Sequence, residues 1–312
     1  MEALKDVSYD PVFLMGFHRS GTTLLYQLLN GTSAFSSLTC YHILTYDELL
    51  ANFIEGTQEE AKRRLDQLLV AKQVADRKID GLRVHADFTE EYCFLLENQT
   101  GERQLNEKSF HLFDEMCRKL RYASNTRKPL LLKNPWDFPN FLYIKNALPN
   151  ARFVFIHRHP FSVINSQLHA IRSLLEDKNE YTAMLSRRYE RAWRNPLKIF
   201  AGRHVYSSRL PLLIRRVSAW AIRGAQYYLE NIGALSKKDY LSIRYEDLCE
   251  NRDGQMHSML SFLEVRLEGD IHSGREIQPR TLSMSPDLAR WKHRIYSSMA
   301  SYFEQMGYNK DT

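Results

Sequence analysis

The chain has 312 residues, 44% of them hydrophobic and 26% charged, which is enough apolar material for a large core and too much for a disordered protein. Its 43 basic and 37 acidic residues leave a net charge of +6, an excess that suits an anionic ligand but is too small to indicate nucleic acid. No apolar run approaches the roughly 18 residues of a membrane span.

The start, MEALKDVSYDPVFLMG, carries acids and lacks the apolar segment of a secretory signal. Cys40, Cys93, Cys117 and Cys249 lie far apart without CxxC spacing, so reduced thiols and a cytoplasmic location are expected. The sequons at Asn30 and Asn98 then read as chance matches. With no repeat, low-complexity tract or linker-like stretch, the expectation is one domain over residues 1–312.

The first apolar, β-rich run is PVFLMG (11–16), and it leads into Gly16-Phe17-His18-Arg19-Ser20-Gly21-Thr22-Thr23 and then a helical LLYQLLN. Its glycines are spaced as in the GxxxxGK[ST] phosphate loop, with Thr22 where that loop has lysine. Glycine allows the tight turn that aims N–H groups at an anion, and the following helix adds its positive end. Arg19 can supply the missing cation. A long helical segment occupies about 55–128, followed by a second strand, PLLLKN (129–134), ending in Lys133.

A third strand, ARFVFIH (151–157), ends at Arg158, and Ser166 lies about two turns into the helix beyond, so both could reach one phosphate. A second helical segment spans about 167–235, and the last β-rich run is YLSIRYEDL (240–248). Short buried strands alternating with helices predict an α/β fold, a P-loop-type parallel sheet flanked by helices. The two long helical segments are where an acceptor pocket and lid would be built.

GFHRSGTTLL resembles the 5′-phosphosulfate loop of the sulfotransferases that use 3′-phosphoadenosine 5′-phosphosulfate (PAPS). The RSGTT core is similar to the branch that includes protein-tyrosine and bacterial small-molecule enzymes. The resemblance implies that Arg19, Ser20, Gly21, Thr22 and Thr23 hold the 5′-phosphosulfate. It implies that Arg158 and Ser166 hold the 3′-phosphate, with His159 where the family usually has an acid. YLSIRYEDL resembles a family strand with a Tyr-Glu-Asp-Leu tail that serves the fold, not the donor. The last 60 residues match only loosely.

The same resemblance implies in-line sulfuryl transfer to an acceptor hydroxyl, leaving adenosine 3′,5′-bisphosphate and needing no metal. Lys133 would stabilise the leaving group, with Arg19 sharing the task. Small-molecule members carry a histidine two residues beyond that lysine, but Pro135 stands there. The protein-tyrosine branch uses a glutamate after the first helix, where this chain has SLTCYHILTYDE, so His42 is the nearest base, with His85, Glu90 and Glu91 as rivals.

Between Arg187 and Arg216 stand nine basic residues against Glu190 alone, interleaved with aromatic ones. They read either as a solvated helical face or as a surface for an anionic or lipid-like acceptor. Two other functions stay open. One is a P-loop kinase using Mg-ATP, against which the missing loop lysine counts. The other is a catalytically inactive nucleotide-binding protein of the same fold.

Overall fold

The computed structural model describes residues 4–78, 81–124, 126–266 and 283–310. Five strands, β1 (Pro11–Met15), β2 (Ser36–Ser37), β3 (Leu130–Lys133), β4 (Arg152–His157) and β5 (Tyr240–Arg244), form a parallel sheet in the order β2-β3-β1-β4-β5. Four of them fall on the four β-rich runs of the sequence. The last run is shorter than expected, because helix Tyr245–Glu250 begins directly after Arg244. The two-residue β2 was not anticipated.

The strands read as unbroken apolar runs because both faces of the sheet are covered. Phe13 and Met15 of β1, Leu130 and Leu132 of β3, and Phe153 and Phe155 of β4 belong to one core. Their neighbours Val12, Leu14, Leu131, Val154 and Ile156 belong to the other. The period of two thus divides these three strands between two hydrophobic layers. Leu25, Tyr26 and Leu29 of helix Thr22–Gly31, with Met256 and Met259 of helix Arg252–Phe262, cover the smaller layer.

Against the larger layer pack helices from both long helical segments, among them Phe110–Ser124, Pro160–Glu176 and Leu212–Asn231. Helix Pro286–Gln305 packs on the last two of these. Its Tyr302 hydroxyl lies 2.7 Å from His157 Nδ1 at the end of β4. Among the described residues no helix is long and apolar enough to cross a membrane.

β1 and β4 lie side by side, yet the chain leaves β1 toward β2 and leaves β4 toward β5. Diverging connections open a crevice beyond the carboxyl ends of such strands. The loop after Met15 and the residue after His157 meet there.

Candidate active site

The loop from Gly16 to Gly21 is shaped by three backbone demands. Arg19 has φ of 73° and Gly21 of 101°, both in the left-handed region. A side chain on Gly21 would collide with the Tyr245 ring, its Cβ falling 2.4 Å away, and one on Gly16 would meet the Ile156 carbonyl at 2.7 Å. Gly21 is also the N-cap of helix Thr22–Gly31, whose first N–H groups face the crevice end without intrahelical acceptors. Arginine in a left-handed position costs energy that surrounding contacts must hold, and such outliers gather at ligand sites.

Those contacts come from β4 and the helix after it. Arg19 Nε donates to Ser166 Oγ at 3.0 Å, Arg158 Nη1 donates to the Arg19 carbonyl at 3.1 Å, and Gln167 Nε2 donates to the His18 carbonyl at 2.8 Å. The Arg158 guanidinium lies over the Tyr245 ring, 4.4 Å from its centroid. The loop after β1 and the segment after β4 therefore converge on one place. The Tyr245 ring packs between them, beside Gly21 and beneath Arg158. Ser20 Oγ is buried with no hydrogen-bond partner among the described residues, a vacant valence that a phosphate oxygen would fill.

Directly after Arg158, the His159 N–H donates to Glu246 Oε1 at 3.0 Å. Glu246 Oε2 accepts from the Tyr308 hydroxyl at 3.0 Å, so a carboxylate reaches this loop from another part of the chain.

Lys133 is fully buried at the end of β3. Its ammonium donates to Thr23 Oγ1 at 2.8 Å and pairs with Glu91 Oε1 at 3.0 Å. Burial pushes the Glu91 carboxyl upward, but the Lys133 ammonium, helped by His18 and Arg77, outweighs this and holds it at about 2. Glu90, one residue earlier, is pushed up by burial and accepts from the Tyr181 hydroxyl at 2.7 Å.

The crevice opens into a cavity of about 1680 Å³. Arg19, Gly21, Thr22, Thr23, Arg158 and Ser166 line it on the loop side, and Glu91 lines it near Lys133. Residues from both long helical segments complete the wall. Its aromatic part is continuous: His18 touches Trp136 at 4.7 Å and Trp220 at 5.7 Å between centroids, and the two tryptophans are 6.0 Å apart. His18 Nε2 is enclosed without a hydrogen-bond partner among the described residues, and burial, with Lys133, Arg103 and Arg19 acting the same way against Glu91, lowers the imidazole to about 4.

His42 does not line this cavity. It is the third residue of helix Cys40–Leu44, and its Nδ1 lies 3.1 Å from the Thr39 N–H and 2.8 Å from Thr39 Oγ1 in a capping box. Burial, with Lys62, lowers its imidazole to about 4. His85 is exposed, and neither it nor Glu90 is part of the wall. Of the four groups considered as base, only Glu91 faces the cavity. The arginine-rich stretch divides too: Arg216 lines the cavity, whereas Arg194 pairs with Glu190 and Arg203 caps the helix ending at Glu176. Among the described residues no group of three or more His, Cys, Asp or Glu side chains could hold a metal ion.

The chain belongs to the sulfotransferase family, whose model matches residues 11–208. Its fold is similar to sulfotransferase STF9 of Mycobacterium avium, with 15% identity, a TM-score of 0.64, and coverage of 99% of this chain and 80% of that one. Sulfotransferase STF1 of Mycobacterium tuberculosis H37Rv gives 15% identity, a TM-score of 0.60, and coverage of 96% and 79%. The sulfotransferase domain of the curacin biosynthetic pathway gives 18% identity, a TM-score of 0.50, and coverage of 97% and 99%. No curated protein matches the sequence significantly. Family and fold together support a transferase that moves a sulfuryl group.

Proposed function

We propose that the protein transfers a sulfuryl group from PAPS to an acceptor hydroxyl. The observation that carries this reading is the Arg19–Ser166 hydrogen bond, with Arg158 bound to the Arg19 carbonyl, because it brings two anion-binding segments to one crevice. A donor phosphorylated at both the 3′ and 5′ ends of its nucleoside needs two such segments. Bound there, PAPS supplies an activated sulfur whose bridging oxygen leaves with negative charge as the acceptor oxygen attacks in line.

The chain's own groups divide the remaining work. Ser20, Thr22, Thr23 and the loop N–H groups hold the 5′ end, and Arg158 with Ser166 holds the 3′-phosphate. Lys133, 2.8 Å from Thr23 Oγ1, turns its ammonium to the leaving oxygen, with Arg19 sharing that charge. Glu91, kept ionised by Lys133 at 3.0 Å and facing the cavity, takes the acceptor's proton. Cationic side chains thus supply the charge stabilisation, and no metal is assigned a role.

Thermal-shift measurements with adenosine 3′,5′-bisphosphate, Mg-ATP and NADP test the reading. The bisphosphate alone, at about 100 times its Kd, is expected to add about 2.7 kcal/mol of stability. An equal or larger effect of Mg-ATP would favour the kinase reading instead.

A further inference from the structure

The cavity wall beyond the donor crevice has its own chemistry. Helix Leu212–Asn231 presents Leu213, Arg216, Val217, Trp220 and Arg223 to the cavity. These positions recur at helical spacing, so they form one face. Trp220 stands midway between two arginines about 10.5 Å apart along the axis. Trp220 continues the aromatic wall that begins at His18 and Trp136, beside Glu91.

Charge on this side is unbalanced. Glu91 is paired with Lys133 at 3.0 Å, and Glu97 with Arg103 at 2.6 Å, so both carboxylates there are already neutralised. Arg216 and Arg223 have no carboxylate partner among the described residues. Arg216 donates only to the Tyr206 hydroxyl, at 2.9 Å, and Tyr206 is itself part of the wall. Both guanidinium groups are exposed at the cavity mouth, where water solvates them until an acceptor's anionic group takes its place.

We infer that the acceptor is an amphipathic anion. It has an aromatic or otherwise flat apolar body lying along Trp136 and Trp220, its hydroxyl at the Glu91 end, and a carboxylate or phosphate held by Arg216 and Arg223. This rests on the sulfotransferase reading and specifies the substrate class of the same cavity. Aromatic faces favour a flat body, and guanidinium forks match the planar or tetrahedral oxygens of those two anions.

The test compares three probes on the full chain saturated with adenosine 3′,5′-bisphosphate: 2-naphthol, 6-hydroxy-2-naphthoate and 6-amino-2-naphthol. Binding is read by calorimetry, and PAPS turnover is read with the same probes. The naphthoate is expected to bind about tenfold more tightly than 2-naphthol, and the amine to gain nothing. Arg216→Gln combined with Arg223→Gln is expected to abolish the naphthoate's advantage while leaving 2-naphthol and bisphosphate binding unchanged. Naphthoate binding no tighter than 2-naphthol, no binding by any probe, or an advantage that survives in the double variant overturns the inference. Because bisphosphate binding is measured in the same cell, its absence marks failure of the sulfotransferase reading separately.

Discussion

Arg19 Nε and Ser166 Oγ lie 3.0 Å apart across 147 positions of sequence, joining the loop after β1 to the helix after β4. Arg158 approaches from the same side, bonded to the Arg19 carbonyl. Arg158→Ala is therefore expected to weaken adenosine 3′,5′-bisphosphate binding by about 1.5–3 kcal/mol. Ser166→Ala removes one neutral hydroxyl and is expected to cost less. Calorimetric affinities unchanged in both variants would refute the 3′-phosphate assignment.

Lys133→Ala separates chemistry from binding. A charge needed only as the bridging oxygen leaves is expected to change turnover by about 100-fold or more, and bisphosphate affinity far less. The same variant strands Glu91 in the interior, so stability is expected to fall by about 3–5 kcal/mol. Adding Glu91→Gln is expected to restore most of that stability but no turnover. Normal turnover of Lys133→Ala in single-turnover assays would shift the leaving-group role to Arg19.

Glu90 and Glu91 are adjacent in sequence and opposite in titration. The Glu91 carboxyl is held low, at about 2, by Lys133 acting against burial. Its stabilisation is present above its unfolded pKa of about 4.3 and is lost as pH falls toward 2. Glu90 is raised by burial, so its contribution is present in acid and lost as pH rises through its elevated folded pKa. Relative to the wild type, Glu91→Gln is thus expected to cost most at neutral pH and least in acid. Glu90→Gln is expected to improve, relative to the wild type, as pH rises. Urea denaturation of both variants at neutral pH and at about pH 3.5 checks the two signs; parallel trends would contradict them.

His42→Ala tests the first-named base. Loss of the capping box with Thr39 is expected to cost about 1 kcal/mol of stability, with turnover per folded molecule retained. A base already ionised at about pH 3 also predicts a rate flat from about pH 6 to about pH 9. A rise through one ionisation near neutrality that vanishes in His42→Ala would restore His42 to the role.

The first strand, loop and helix were legible because they are local: a strand, a glycine-spaced turn, a cation and a helix start are contiguous from Pro11 to Gly31. The strand that precedes Arg158 and the helix that carries Ser166 were legible for the same reason. β2 was not, since two residues, Ser36 and Ser37, carry no periodicity. Nor was the wall of the cavity. His18, Trp136 and Trp220 meet only through tertiary packing, and no spacing rule connects them. The sequence put His42 ahead of Glu91 as base, and only the fold places one beneath a helix start and the other beside Lys133.

Tyr245, the Glu246 carboxylate and the Tyr302 hydroxyl all contact the end of β4 or the residues after it, and all lie beyond residue 208, where the family match stops. A polypeptide cut at that boundary would keep the phosphate loop intact in sequence. It would lack β5, the ring that Gly21 faces and the acceptor of the His159 N–H. The shape of the loop and of the segment after β4 therefore depends on residues outside the matched range.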